Sequence, residues 1–109
     1  MGDQPPIDNR PTISTHVLDT EHGQPAAGIR VTLYAPDGQL AGQSTTDADG
    51  RVRRLLEDAL VSGDYRIEFD LDAAFFRRAV LTFRVDDTTR SYHVPLLVAP
   101  YSIASYRGS

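Results

Sequence analysis

Cysteine is absent from this 109-residue chain. That removes disulfides, thiolate zinc sites, iron–sulfur clusters and cysteine nucleophiles from consideration. Lysine is absent as well: all eleven cations are arginine, against fifteen Asp and Glu, for a formal net charge of −4. Binding to phosphate backbones needs clustered positive charge, so no nucleic-acid partner is expected. Short groups such as Arg51, Arg53 and Arg54, or Arg77 and Arg78, are ordinarily solvated surface. No run approaches the ~18 apolar residues of a membrane span, so no membrane partner is expected. The opening Met1-Gly2-Asp3-Gln4-Pro5-Pro6 has neither the basic region nor the apolar stretch of a secretory leader. A soluble, cytoplasmic protein is the expectation.

What remains is one domain's worth of chain. At this length folding removes roughly two thirds of the open chain's surface from water, enough for one modest core. Residues 1–11 carry three prolines and no periodicity, and read as a flexible tail. From Thr12 onward, short apolar alternations are broken by Gly, Pro or Asp every eight to twelve residues, the pattern of an antiparallel sandwich or barrel. Ile13, Thr15 and Val17 alternate with Ser14, His16 and Leu18. Ile29, Val31 and Leu33 alternate with Arg30, Thr32 and Tyr34, and Pro36-Asp37-Gly38 then predicts a hairpin back through Leu40 to Thr45. Asp49-Gly50 marks another turn, and two further strands are predicted over 65–71 and 79–85. Tyr92 to Val98 is apolar on both faces apart from His93, and Ser102 to Tyr106 supplies a last strand. Leu55 to Val61 and Asp72 to Phe76 are each long enough for no more than a helical turn. The prediction is an all-β sandwich of seven or eight strands with at most one short helix.

Most chemical motifs are missing. There is no glycine-rich phosphate loop, no Gly-x-Ser-x-Gly elbow and no His-Glu-x-x-His helix. Asp47-Ala48-Asp49-Gly50 imitates part of a calcium loop, but Thr45 and Leu56 stand where that loop needs acids, so it reads as a turn. Three histidines remain. His22 lies in a polar loop beside Glu21, whereas His16 and His93 interrupt strands and point to the face opposite Val17 and Val94. A three-histidine zinc site would need the loop residue to join the two strands, and no metal is expected. The C-terminus keeps Tyr101, Tyr106 and Arg107 close to its end, where chains ordinarily run into small polar residues.

These residues match a known pattern. Ile13-Ser14-Thr15-His16-Val17-Leu18-Asp19-Thr20, with Gly23, Pro25, Ala26 and Gly28, resembles the opening signature of the transthyretin-like family. Thr46, Asp49, Gly50 and Arg51 are similar to its central element. Tyr92-His93-Val94-Pro95-Leu96-Leu97, Pro100-Tyr101 and the closing Tyr106-Arg107-Gly108-Ser109 resemble its final signature. The closing tetrapeptide, with a histidine in each outer signature, points to the family's enzyme branch, which hydrolyses 5-hydroxyisourate. The resemblance spans about Thr12 to Ser109, the domain expected over 12–109.

The resemblance implies a β-sandwich of two four-stranded sheets, a homotetramer built as a dimer of dimers, and active sites in the channel between dimers. It implies a step of purine (urate) breakdown without metal or organic cofactor. Water opens the N1–C6 amide of 5-hydroxyisourate to give 2-oxo-4-hydroxy-4-carboxy-5-ureidoimidazoline. The catalytic residues carried over are His16, Arg51 and His93, with Tyr106, Arg107, Gly108 and Ser109 binding substrate. His16 is assigned as the base, since an unperturbed imidazole titrates near 6.5 and a neutral ring is available at cellular pH. His93 would orient substrate or water, or pass the proton on. Arg51 would hold substrate oxygens and developing negative charge through its planar fork. Arg107 would close the site by charge, and Ser109 by its hydroxyl or the terminal carboxylate.

The chain also departs from the family pattern. Family members carry a short helix between the strands matching 65–71 and 79–85, where only about seven residues stand here, so that helix should shrink to a turn or vanish. Phe75-Phe76-Arg77-Arg78 replaces the usual Phe-x-Pro-Glu, and Ser105 stands where threonine is common. Two other readings compete. The stretch from Gly23 to Tyr65 also resembles non-catalytic sandwich modules of the carboxypeptidase-regulatory-like type, which have no reason to carry His16, His93 and the closing tetrapeptide together. A small-ligand carrier would prefer apolar walls.

Overall fold

The computed structural model describes residues 9–109. The flexible tail expected at the N-terminus falls largely on residues 1–8, outside the described residues. Nine strands follow: β1 (Ile13–Asp19), β2 (Gln24–Pro25), β3 (Arg30–Tyr34), β4 (Leu40–Thr45), β5 (Arg51–Val52), β6 (Gly63–Asp70), β7 (Arg78–Val85), β8 (Tyr92–Val98) and β9 (Ile103–Ser105). They form two sheets. One is ordered β4-β3-β6-β7 and is antiparallel throughout. The other runs β2-β1-β8-β9, with β5 also on β1. β5 pairs with Thr15 and His16 while β2 pairs with Leu18 and Asp19, so these two short strands share one edge of β1. Each sheet is therefore four positions wide, the all-β sandwich expected. No helix occurs among the described residues; both stretches considered for a helical turn, 55–61 and 72–76, are irregular.

The alternation read from the sequence is what the sheets bury. Ile13, Thr15 and Val17 of β1 are buried while Ser14, His16 and Leu18 are half-buried on the opposite face. Val31 and Leu33 of β3, with Tyr65, Ile67 and Phe69 of β6, fill the core from the other sheet. Each such side chain contributes about 1.5–3 kcal/mol by leaving water. The buried Thr15 hydroxyl is satisfied by donating to the Val94 carbonyl at 2.6 Å.

The pairing that matters most for function joins distant parts of the chain. β1 lies parallel to β8, with Ser14 beside His93 and His16 beside Pro95. Pro95 has no N–H, and it stands just before the antiparallel β8–β9 ladder begins at Leu96. Beyond β9 the chain leans back on β8, and the Gly108 N–H donates to the His93 carbonyl at 2.8 Å.

Candidate active site

The outer face of the β1–β8 sheet gathers three of the sequence-predicted catalytic side chains. β1 supplies His16, β8 supplies His93, and β5 supplies Arg51 directly across from His16. All three are half-buried, neither lost to the core nor fully solvated.

Arg51 is placed by a tightly bonded turn. The Asp47 carboxylate accepts from the backbone N–H groups of Asp49 at 2.9 Å and Arg51 at 3.0 Å. The Arg51 N–H bond is the main reason the Asp47 carboxyl titrates below its ordinary 3.8. Gly50 adopts a φ of 75°, and a Cβ there would strike the Val17 carbonyl. Its own carbonyl accepts from the Val17 N–H at 2.7 Å, so the turn is stitched onto β1 beside His16. Thr46 anchors the other side: its buried hydroxyl donates to the Ala26 carbonyl and accepts the Ile29 N–H. Thr46, Gly50 and Arg51 of the central motif thus act as one unit with Asp47, which lies outside it, and the motif's own Asp49 joins through its backbone N–H.

His93 is held on two flanks. Its Nδ1 lies 2.8 Å from Ser14 Oγ. Its Cδ2 edge meets Gly108 so closely that any Cβ at 108 would collide with it. Burial is the largest influence on the ring's titration, followed by the charges of Arg51 and His16. Together they hold its pKa below the ordinary 6.5, against the opposing effect of a hydrogen bond with the Ser14 backbone. His93 is thus kept neutral beside a fixed cation.

Arg51, Arg53, Ser14, Thr15, Ser91, His93 and Ser109 line a hollow of about 290 Å³. That is close to the lower end of volumes that hold small molecules. His16 flanks it beside Arg51 and does not line it. Gly108 shapes it by packing on His93. Tyr106 and Arg107 lie elsewhere, in a neighbouring hollow of about 330 Å³ between β7 and the chain's end, which His93 also lines. There the Arg107 guanidinium stacks 4.8 Å from the centre of the Tyr92 ring. In one chain, then, His93 is the wall between the Arg51–Ser109 hollow and the Tyr106–Arg107 hollow.

Sequence reasoning missed Ser14, Thr15, Arg53 and Ser91 as lining residues. For Ser14 the signal was present: it stands two residues before His16 in the alternating β1 run, and period-2 alternation puts both on one face. His22 lies outside the site, bonded to Asp19 at 2.8 Å with Glu21 at 3.3 Å. Among the described residues no three His, Cys, Asp or Glu side chains are placed to share a metal ion.

The model of the HIUase/Transthyretin family matches residues 13–108. The chain belongs to this family. Within the HIUase/Transthyretin family it is 38% identical to the 5-hydroxyisourate hydrolase of Caulobacter vibrioides, across 89% of this chain and 97% of that one. The structure of Klebsiella pneumoniae 5-hydroxyisourate hydrolase aligns with a TM-score of 0.80 at 30% identity, covering 91% of this chain and 99% of that one. Sea bream transthyretin in complex with thyroxine aligns nearly as well, with a TM-score of 0.79 at 25% identity over 88% of this chain and 93% of that one. A hydrolase and a thyroxine-binding protein therefore share this sandwich, and the outer-face side chains have to decide between them. Here those side chains are imidazole, guanidinium and hydroxyl groups.

Proposed function

We propose that this protein hydrolyses 5-hydroxyisourate to 2-oxo-4-hydroxy-4-carboxy-5-ureidoimidazoline in urate breakdown. The observation that carries this is the convergence of His16, Arg51 and His93, from three strands, on one outer sheet face closed by the Gly108–Ser109 segment. His16 takes a proton from water as the water oxygen bonds to C6. Arg51 and neutral His93 donate to the oxyanion that forms on the C6 oxygen. The N1–C6 bond then breaks, N1 takes the proton that His16 holds, and C6 stays on the imidazoline ring as a carboxylate facing Arg51, its own proton released to solvent. Ser109 orients the ring. A polar hollow of this kind suits a hydrated, hydrogen-bonding heterocycle better than an apolar hormone.

The hollow is open on one side, and His93 separates it from Tyr106 and Arg107. A homotetramer, assembled as a dimer of dimers with this face lining a central channel, would cover it and bring a second copy's groups opposite. Sedimentation velocity should give about four times the 12.0 kDa chain mass.

The direct test generates 5-hydroxyisourate in situ with urate oxidase and follows its absorbance decay. Decay faster than the spontaneous rate, proportional to protein and unaffected by a chelator, is the expected result. A decay identical with and without protein would remove the proposal.

A further inference from the structure

Ser14 is assigned no role by the family resemblance, yet its environment is specific. The parallel register of β1 and β8 sets it beside His93 on the outer face, and both line the hollow with Arg51. Its Oγ lies 2.8 Å from His93 Nδ1. With Nδ1 against Ser14 and Cδ2 against Gly108, the ring's remaining edge, Cε1–Nε2, is the one left free. A hydroxyl that donates to Nδ1 leaves the proton of the neutral ring on Nε2. One that accepts from Nδ1–H leaves Nε2 bare. The proposed reaction selects between these. In the hydrolysis negative charge develops in the hollow beside Arg51 and Arg53, and a neutral ring offering Nε2–H adds a donor to it. A bare Nε2 would instead present a lone pair to that same oxyanion.

We propose that Ser14 is a positioning residue: its hydroxyl donates to His93 Nδ1 and fixes the neutral ring as the Nε2–H tautomer, whose N–H serves the hydrolysis as an oxyanion donor. This rests on the hydrolase reading, whose oxyanion selects the tautomer, while the nitrogen signals report the tautomer whether or not turnover is seen.

The test therefore has two arms on the full chain. Nitrogen-15 NMR of the histidine rings at pH 7.5, with His93 assigned by its loss in His93→Asn, should show a bare Nδ1 and a protonated Nε2. In Ser14→Ala the two nitrogens should move toward averaged values, and in Ser14→Thr they should return. In turnover, Ser14→Ala should lower kcat about tenfold with KM little changed, the size of one lost hydrogen bond to a group that acts in the transition state. Ser14→Thr should restore most of it. A protonated Nδ1 in the wild-type protein would overturn the proposal, as would a Ser14→Ala variant with unchanged tautomer and unchanged kcat. Absence of turnover in the wild-type protein, with the expected nitrogen pattern intact, would sink the hydrolase reading and leave the Ser14–His93 tautomer standing.

Discussion

His16 and Arg51 are cross-strand partners in the antiparallel pairing of β1 with β5, so their side chains leave the sheet on the same face. β5 is only two residues long, and its place on β1 depends on the Asp47–Gly50 turn rather than on an extended ladder. The imidazole and the guanidinium are therefore set against each other by local bonding.

Replacing His16 with Ala should then remove the proposed base without disturbing the scaffold. The side chain is half-buried on the outer face and packs no part of the core. A well-placed general base is worth ~10²–10⁴-fold in rate. His16→Ala is expected to lose turnover within that range in the coupled urate oxidase assay, with an unchanged sedimentation coefficient. Near-normal turnover would reassign the base.

Two histidines should titrate in opposite directions. Burial and the nearby charges of Arg51 and His16 lower the pKa of His93 from 6.5, while hydrogen bonding and charge interaction with Asp19, and the charge of Glu21, raise that of His22. Below 6.5 the unfolded chain binds the His93 proton more readily than the native protein does, so stability falls as pH drops from 6.5 through the native His93 value. For His22 the sign reverses: its contribution is fully present below 6.5 and is lost as pH rises through the native value. Proton NMR of the ring Cε1–H signals should place the His93 midpoint below that of free imidazole and the His22 midpoint above it. Urea unfolding of His93→Asn should show a shallower loss of stability between pH 6.5 and 5 than the wild type.

Gly42 should be intolerant of any side chain. It lies in β4 opposite the fully buried Leu33, and the backbone carbonyl of Leu55 crosses over it where a Cβ would stand. Its φ is not in the left-handed region, so the cost of Gly42→Ala is collision with backbone that cannot rotate away. Forced overpacking of this sort costs about 1–3 kcal/mol. The urea midpoint should fall accordingly, while turnover of the remaining folded protein stays near normal, because Gly42 belongs to the other sheet.

Much of this was legible in the sequence, for a definable reason. Alternation has a period of two, so the facing of Ser14, His16 and Leu18, and of the core residues of β3 and β6, follows from residue order alone. Pro36-Asp37-Gly38 announced the β3–β4 hairpin because those residues suit a tight turn. What alternation cannot supply is the partner of each strand. The β1–β8 pairing spans 79 residues from Ser14 to His93, and only the family resemblance hinted that those two signatures belong together. Nor does a two-residue strand have a period. Arg51–Val52 reads as the exit of a turn until β1 is laid against it. The separation of Tyr106 and Arg107 from Arg51 has the same origin, since His93 becomes a wall only when the chain's end folds back over β8.

That returning segment gives the sharpest single-residue test. Gly108 is half-buried, its N–H bonds the His93 carbonyl, and a Cβ there would press on His93 Cδ2 and approach Pro95 Cγ to 3.3 Å. Since its φ is also outside the left-handed region, alanine meets no backbone penalty, only the ring. The ring can yield by turning away from Ser14, or the tail can lift; either spoils the donor geometry of His93 or removes Ser109 from the hollow. Small misplacements of positioned groups cost about a hundredfold in rate. Gly108→Ala is expected to lose kcat on that scale while its urea midpoint stays within experimental error of wild type, because one terminal bridge carries little of the fold. A variant that unfolded early would show that the tail holds the sandwich together, and one with normal turnover would show that His93 does not act from the position Gly108 gives it.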